Sequence, residues 1–280
     1  MVLYKLLSVT DLTTNTVDVI SLTDIGSTGK KIETLGVPVR ALNMRGGIGN
    51  LLLVLKLATW LKRSKPDIIQ TWMYHADLLG GIAAKFAGGI PLAWGIHNSN
   101  LNPALSKRST IWTAKLCAMF SHWLPSKIVC VSDGARNAHE AIGYSAEKMT
   151  LIPNGIDTAA FKPNRDCRIS VRQELGIGRN TILIGLIARF DPQKDHHSFI
   201  KAAKLLSSFY PKAHFLLCGD GIDWENENLV SWIDNEGLRR CFHLLGLRDD
   251  IPRLTAALDI ASSSSFGESF SLTLGEAMAC

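Results

Sequence analysis

Several features are missing from this sequence of 280 residues, and the first is a long hydrophobic run. A membrane-spanning helix needs about eighteen or more uninterrupted apolar residues, and no such stretch occurs. The nearest approach, residues 78–96, is interrupted by Lys85, two Gly-Gly pairs and Pro91. Residues 1–12 have neither a basic start nor a small-residue cleavage site, so we predict no signal peptide.

Nucleotide-binding fingerprints and metal-ligand spacings are also missing. Neither GxGxxG nor a phosphate loop ending in GK[ST] occurs, and GDG at 219–221 lacks the rest of both patterns, which argues against a dehydrogenase or an ATPase. The six cysteines are scattered, with no CxxC, and no spacing brings three metal ligands together. We therefore expect buried free thiols in a reducing compartment, a cytoplasmic protein and no metal site.

The charges are divided unevenly along the chain. Residues 1–165 carry 18 Lys and Arg against 10 Asp and Glu, whereas residues 166–280 carry 12 against 15. This asymmetry suggests two domains with different partners. The basic half could face nucleic acid, an anionic membrane or a phosphorylated ligand.

Apolar, β-branched runs alternate with helical patterns through most of the chain. The predicted strands are 16–22, 39–44, 67–72, 91–97, 127–132, 149–153, 181–189, 213–220, 241–247 and 259–265. The predicted helices are 49–64, 76–88, 107–124, 133–143, 195–210, 224–236, 249–258 and a last one from about 271. Buried strands with helices between them indicate an α/β fold with doubly wound parallel sheets.

A polar stretch at 162–180 interrupts this alternation and is interpreted as a linker region with a short helix. We therefore predict two Rossmann-like domains, residues 1–165 and 166–280, with a cleft between them. Ligands of such sheets bind at the carboxyl ends of strands.

Glu268 lies at such a carboxyl end, after a buried strand and just before a helix. The backbone N–H groups of residues 269–273 would point at an anion placed there, which suits a diphosphate. Nearby carboxylates can accept hydrogen bonds from sugar hydroxyls, so the group suits a nucleotide-sugar. Glu276 has an alternative interpretation, as the partner of Thr273 in a helix capping box.

Two cations and two histidines lie at strand ends in the same way. Arg189 and Lys194 come just after the strand 181–189, where they could bind a diphosphate or simply be solvated surface charges. His97 ends a strand of the first domain and would face the cleft, and His75 follows the strand 67–72. A lone histidine after a strand is more often a packed or loop residue than a catalytic one. No role is assigned to His139, His196 or His197.

Residues 104–124 carry one strongly apolar helical face with basic residues off it. The apolar residues are Trp112, Leu116, Met119, Phe120 and Trp123, and the basic ones are Lys107, Arg108 and Lys115. This pattern fits an interfacial membrane helix, or a helix that packs into the core with a solvated basic face. The basic charge of the half favours a membrane surface.

Together these residues resemble glycosyltransferase family 4, the retaining group 1 glycosyltransferases of the GT-B fold. FGESFSLTLGEAMA at 266–279 resembles the family's paired-glutamate motif, and ARFDPQKD at 188–195 its basic phosphate motif. IPNGIDTAAFKP at 152–163 resembles the inter-domain segment, and WGIHNSN at 94–100 the first-domain histidine loop. The resemblance covers nearly the whole chain.

The resemblance implies transfer of a sugar from a nucleoside diphosphate-sugar, with UDP favoured, to a glycan or lipid-linked acceptor in cell-surface polysaccharide synthesis. It implies that Glu268 holds hydroxyls of the donor sugar, Glu276 holds the ribose, and Arg189 and Lys194 stabilise the leaving diphosphate without a metal or other cofactor. His97 would help to position donor or acceptor. The donor-binding set is completed by Ser269, Phe270, Ser271 and Leu272.

Compared with the family pattern, the chain starts just after the expected first strand and Gly-rich loop, and it ends within the second domain, so both domains are expected to be incomplete. The alternatives are an inactive nucleotide-sugar-binding fragment and a GT-B sugar-nucleotide epimerase. Nucleic-acid binding has no motif to support it, and the expected location is cytoplasmic, at the inner face of the membrane.

Overall fold

The structure is a computed structural model that describes residues 2–44, 51–99, 101 and 107–280. The chain divides into two compact units, Met1–Asn154 and Gly155–Cys280. The division falls within the segment IPNGID, eleven residues before the boundary expected from the polar stretch. Arg165, which that stretch had assigned to the first domain, begins a helix of the second unit.

The first unit contains two parallel sheets. Strands β1 (Val19–Ser21) and β2 (Val39–Ala41) pair with each other. The other sheet has the order β3-β4-β5-β6, formed by Ile69–Trp72, Leu92–Ile96, Lys127–Cys130 and Met149–Leu151. The helices of the first unit are α1 (Val2–Ser8), α2 (Gly26–Glu33), α3 (Leu51–Ser64), α4 (Tyr74–Phe86), α5 (Arg108–Phe120) and α6 (Asp133–Glu140).

The second unit is a single four-stranded parallel sheet with the order β10-β7-β8-β9. These strands are β7 (Leu183–Ile187), β8 (His214–Cys218), β9 (Phe242–Leu244) and β10 (Ile260–Ala261). Its helices are α7 (Arg165–Glu174), α8 (His196–Phe209), α9 (Glu227–Asn235), α10 (Ile251–Thr255) and α11 (Leu272–Ala279). Four of these five helices have an N-cap residue whose side chain accepts a hydrogen bond from a backbone N–H of the first turn. These residues are Asn164, Asp195, Asn226 and Ser271.

Buried apolar residues cover both faces of the sheet of the second unit. In the second unit, Phe215 and Leu217 face one hydrophobic cluster, while Leu216 and Cys218 face another on the opposite side of β8. A strand buried on both faces reads as a continuous apolar run, and this is why the strands could be recognised from the sequence. All six cysteines are free thiols, as expected, and burial raises the pKa of Cys130 and of Cys218 to about 11.

Three sequence predictions need correction. Helices α1 and α2 were not predicted; both are short, and α2 begins with two glycines, a serine and a threonine, which are poor helix formers. The predicted strand 259–265 is regular only at Ile260–Ala261. The helix cap at the last helix is Ser271, whose hydroxyl accepts from the N–H of Leu274 at 3.4 Å, so the capping box of Thr273 with Glu276 is wrong.

The two interpretations of residues 104–124 can now be compared over the described part of that segment. The core side of α5 consists of the small residues Thr113, Ala114, Cys117 and Ala118. Phe120 is partly buried and packs against the core, but Trp112, Leu116, Met119 and Trp123 are exposed, so the interpretation that this apolar face packs into the core is wrong for these four residues. Among the described helices, none is long and apolar enough to cross a membrane.

Candidate functional site

The site in the second unit is located by the order of its strands. The chain builds the sheet outward from β7 through β8 to β9, and then crosses back to place β10 on the other side of β7. Because the strand order reverses between them, the neighbouring strands β7 and β10 form a topological switch point. Open α/β sheets bind ligands at such a point, beyond the carboxyl ends of the strands. Lys194 follows β7, and Glu268 follows β10.

Three hydrogen bonds fasten the loops that follow these two strands to each other. The side-chain amide of Gln193 donates to the carbonyl oxygen of Gly267 at 3.1 Å, and the N–H of Phe266 donates to the carbonyl oxygen of Gln193 at 3.0 Å. The hydroxyl of Ser264 donates to the carbonyl oxygen of Lys194 at 2.7 Å. The two loops therefore form one tied structure, which restricts where their charged side chains can lie.

Lys194 and Glu268 form an ion pair across this tie, between Nζ and Oε1. The hydroxyl of Ser265 donates to the same carboxylate oxygen at 2.8 Å. Both charged side chains remain partly exposed. Lys194 and Glu268 therefore lie together at the switch point and are accessible to solvent. The ammonium group could bind a phosphate oxygen, and the carboxylate could bind a hydroxyl.

Arg189 lies in the same loop but has a different partner. Its Nη2 and Nε contact Asp191 Oδ2 at 3.1 and 3.2 Å, and its side chain is largely exposed. The pKa of Asp191 is lowered, first by the N–H of Gln193, which donates to Oδ1 at 2.9 Å, and then, against the effect of burial, by Arg189 and Lys194. Asp191 thus orders the loop and holds its two cations near one carboxylate.

Helix α11 begins directly after this pair of loops. Ser269 and Phe270 precede the helix, Ser271 is its N-cap and Leu272 its first residue. The positive end of the helix dipole and the first N–H groups favour an anion in this position. Glu276 lies one turn further along and is buried.

The GDG segment at 219–221, which matches no nucleotide-binding pattern, contacts the loop after β7. The N–H of Phe190 donates to the carbonyl oxygen of Asp220 at 2.7 Å, and Gly219 donates to Gly246 at 2.9 Å. A Cβ at position 219 would lie 2.2 Å from the carbonyl oxygen of Ala188. Only glycine permits this close approach of two backbones, so GDG is a structural requirement of the loop that carries Arg189.

His97 lies in the first unit, immediately after β4, beside the carboxyl end of β3. Its ring stacks on Trp72 with the centroids 6.4 Å apart, and burial lowers its pKa, so the imidazole is neutral near pH 7. The structure therefore places His97 at a strand end, as predicted. His75 lies in the first turn of α4.

A buried polar group beneath His97 was missed by the sequence analysis. Asp77 of α4 is fully buried, and its Oδ1 accepts a hydrogen bond from the Thr71 hydroxyl at 2.6 Å. Burial raises its pKa well above the usual range, which favours the neutral form of the carboxyl. Met73, between β3 and α4, has a φ of 73°, which is a strained conformation for a residue other than glycine.

The structure thus brings together some predicted residues and not others. Lys194 and Glu268 are joined directly, and Ser269 to Leu272 lie at the start of the adjacent helix. Ser265 and Gln193 were missed; the run of four serines before Phe266 was a signal for the first, while nothing in the sequence marks the second. In the described parts of the chain, no group of three or more His, Cys, Asp or Glu side chains could hold a metal ion.

Known proteins resemble this chain in both sequence and structure. It is 26% identical over 233 residues to the UDP-Gal:alpha-D-GlcNAc-diphosphoundecaprenol alpha-1,3-galactosyltransferase of Escherichia coli, covering 82% of this chain and 60% of that protein. It is 27% identical over 264 residues to the N,N'-diacetylbacillosaminyl-diphospho-undecaprenol alpha-1,3-N-acetylgalactosaminyltransferase of Campylobacter jejuni, covering 90% and 68%. The chain therefore spans about three fifths of the length of the E. coli relative.

Among solved structures, Anabaena HepE in complex with UDP is similar with a TM-score of 0.83 and 26% identity, covering 99% of this chain and 75% of that chain. HepE in complex with UDP and glucose gives a TM-score of 0.80 and 27% identity, covering 94% and 70%. The two parallel-sheet α/β units are accordingly those of the GT-B fold.

Two family models cover most of the sequence. The model of Glycosyl transferases group 1 matches residues 168–280, which include β7, the tied loops and α11. The model of Glycosyltransferase Family 4 matches residues 13–160, which is more than half of the chain. From its sequence and its fold alike, this chain belongs to glycosyltransferase family 4.

Proposed function

We propose that this protein is a retaining glycosyltransferase that transfers a sugar from a UDP-sugar to a lipid-linked glycan acceptor in the synthesis of a cell-surface polysaccharide. The observation that carries the proposal is the Lys194–Glu268 pair, held by the tied loops at the β7–β10 switch point. The names of the E. coli and C. jejuni relatives, which state diphosphoundecaprenol-linked substrates, support the choice of acceptor. The UDP complexes of HepE support the choice of nucleotide.

In the proposed reaction, the bond between the sugar and the diphosphate breaks and negative charge develops on the leaving oxygen. Lys194 and Arg189 stabilise that charge, together with the first N–H groups of α11 around Ser271 and Leu272. No step requires a metal ion, because fixed cations and the helix end supply the positive charge.

Glu268 accepts hydrogen bonds from hydroxyls of the donor sugar, and Glu276 binds the ribose of the nucleotide. The Lys194–Glu268 pair orients the carboxylate before the donor arrives, and a diphosphate would then compete with Glu268 for the ammonium group. Ser269 and Phe270 complete the donor-binding segment. Such preorganised charges are effective because they need little rearrangement during the reaction.

Retention follows if the acceptor attacks the face of the sugar that the diphosphate leaves, with a diphosphate oxygen accepting the proton of the acceptor hydroxyl. The neutral imidazole of His97 helps to position the donor or acceptor sugar. A lipid-linked acceptor also places the protein at the cytoplasmic face of the membrane that contains the lipid.

Calorimetric titration with UDP, UDP-glucose, UDP-galactose and UDP-N-acetylglucosamine tests the donor site. We expect one of these to bind, and we expect Lys194→Met and Glu268→Gln each to weaken its binding at least tenfold. Arg239→Met, which breaks the exposed Arg239–Asp234 pair at 2.7 Å, is the matched control and should leave binding unchanged. Equal affinities for wild type and both site variants would refute the site.

Transfer is tested separately, with a short-chain lipid diphosphate glycan as acceptor and NMR of the product to give its anomeric configuration. Retention requires that the product has the configuration of the donor. Conversion of the UDP-sugar in the absence of any acceptor would identify an epimerase instead, and binding without turnover would identify the inactive nucleotide-sugar-binding fragment.

A further inference from the structure

Helix α5 presents its larger apolar residues to solvent. Its fully buried side chains are small or short, Thr113, Ala114, Cys117 and Ala118, and one larger residue, Phe120, is partly buried against the same core. On the outside, the exposed fractions are 69% for Trp112, 36% for Leu116, 51% for Met119 and, in the turn after the helix, 65% for Trp123. In a surface helix of a globular protein the apolar stripe normally faces the core, so this orientation is the reverse of the usual one.

The exposed residues form one continuous stripe. Trp112, Leu116 and Met119 follow the spacing of three or four residues that places side chains on one helical face, and Trp123 lies in the turn after the helix. The ring of Trp123 packs edge-to-face on Phe120, with centroids 6.3 Å apart, which holds it beside the end of the helix. The result is a surface with two indole rings, a leucine and a methionine, here called the α5 face.

The surroundings of the α5 face are positively charged. Lys107 and Arg108 lie at the start of the helix, and Lys115 lies within it; all three are exposed. From residue 78 to residue 132 the sequence contains five Lys or Arg and no Asp or Glu. The first unit, residues 1–154, has 16 Lys and Arg against 9 Asp and Glu, a net charge of +7.

This chemistry favours one occupant. Tryptophan prefers the boundary between lipid headgroups and acyl chains, and lysine and arginine beside it attract anionic headgroups. A second copy is disfavoured, because the margin of this face is cationic and residues 78–132 contain no acidic side chain to pair with those cations across a symmetric contact. A long apolar stripe on a helix with a cationic margin and no acidic residue is the pattern of an interfacial helix.

We propose that the α5 face docks this protein on an anionic lipid bilayer, with the helix lying along the surface and Trp112 and Trp123 inserted at headgroup depth. This inference builds on the proposed function, since docking would bring the first unit to the surface where a lipid-linked acceptor resides. It does not depend on transfer activity for its test.

Sedimentation of the 280-residue chain with vesicles measures the docking directly. Vesicles of phosphatidylcholine with phosphatidylglycerol are compared with vesicles of phosphatidylcholine alone, at low and at high salt. We expect binding to the mixed vesicles that weakens with salt. The double variant Trp112→Ser, Trp123→Ser should lower the partition coefficient about tenfold or more, which corresponds to about 1.4 kcal/mol.

Two further variants make the test specific. Phe209→Ser removes an aromatic residue that is 79% exposed on α8 of the second unit, so it is the matched control and should bind vesicles as the wild type does. Arg108→Gln with Lys115→Gln should reduce binding to the mixed vesicles and flatten its salt dependence. Thermal unfolding of every variant checks that these exposed substitutions leave the fold intact.

The proposal is overturned if the wild type does not bind anionic vesicles, or if the double tryptophan variant binds them equally well. It is also overturned if light scattering shows a dimer that the tryptophan variant abolishes, because the α5 face would then bind a second copy. Transfer to a water-soluble acceptor should be unchanged in the docking variants. Vesicle binding without any transfer would refute the proposed function alone, and transfer without vesicle binding would refute the docking alone.

Discussion

Gly219 and Ala188 lie so close together that a Cβ at position 219 would be 2.2 Å from the carbonyl oxygen of Ala188. The contact joins the end of β8 to the loop after β7 that carries Arg189. Gly219→Ala must therefore displace backbone atoms, because rotation of a side chain cannot relieve this clash. We expect it to lower the free energy of unfolding by about 3 kcal/mol or more, as measured by urea denaturation.

Gly237→Ala is the control for Gly219→Ala. Gly237 also has a positive φ, of 68°, but a Cβ there would meet nothing within 4 Å. Gly237→Ala should lower the free energy of unfolding by only about 1 kcal/mol, which is the strain of an alanine in this backbone conformation. Equal costs at the two positions would show that the contact with Ala188 is unimportant.

The Lys194–Glu268 pair should matter far more for function than for stability. Both side chains are partly exposed, and exposed ion pairs contribute about 1 kcal/mol or less. In the proposed reaction Lys194 stabilises the leaving diphosphate, so removal of its charge should slow transfer about a hundredfold or more. We therefore expect Lys194→Met to change the unfolding midpoint little and to reduce kcat strongly.

A double-mutant cycle with Glu268→Gln separates these two effects. In thermal unfolding, the coupling energy of the pair should be within about 1 kcal/mol. A coupling of several kcal/mol, with transfer unimpaired in the single variants, would identify the pair as a structural element of the second unit.

Asp259 should make the second unit sensitive to acid. Its Oδ2 lies 2.5 Å from Nη2 of the buried Arg172 and accepts from the N–H of Leu183 at 2.8 Å, while Oδ1 lies 2.6 Å from Arg168. Burial by itself would raise the pKa of Asp259, but the Leu183 N–H and the two guanidinium groups outweigh it, so the pKa is lowered. A lowered folded pKa contributes stability above the unfolded value of about 3.9, and this is lost as the pH falls through the folded value.

Asp259→Asn should accordingly cost about 3 kcal/mol at pH 7, because it leaves the cation of Arg172 without its carboxylate. The difference from wild type should shrink as the pH is lowered below about 4. Asp234→Asn, which breaks the exposed pair with Arg239, is the control and should cost less than about 1 kcal/mol. Urea denaturation at several pH values measures both, and a difference that is constant with pH would contradict the assignment.

Asp77 should have the opposite pH dependence. Burial raises the pKa of this carboxyl well above its unfolded value of about 3.9. Stability is then fully present below the unfolded value and is lost as the pH rises toward and through the folded value. Asp77→Asn keeps an oxygen for the Thr71 hydroxyl and cannot ionise, so it escapes this loss.

We therefore expect Asp77→Asn to gain stability relative to wild type as the pH rises, by up to about 1.4 kcal/mol per pH unit below the folded pKa. Chemical denaturation between pH 5 and pH 8, on the wild type and on Asp77→Asn, provides the measurement. A gap between the two proteins that does not widen with pH would mean that Asp77 is ionised in the fold.

Much of this protein could be predicted from local sequence. The alternation of apolar runs with helical patterns identified the ten strands and the longer helices, because strands buried on both faces are continuously apolar. The motifs around Lys194 and Glu268 identified both members of the ion pair. The stripe at Trp112, Leu116, Met119 and Trp123 was recognised from its helical spacing; the sequence left open whether it faces the core or a surface, and the basic charge favoured the surface.

Those features were accessible because each is set by a short stretch of chain, through side-chain size, charge and period. Only the tertiary structure decided the order β10-β7-β8-β9, which creates the switch point and brings the loops of Lys194 and Glu268 together. It also decided that Gln193 ties those loops, that Gly219 must lack a Cβ and that the α5 face is outward. Each of these depends on atoms that are distant in sequence and meet only when the sheet is assembled.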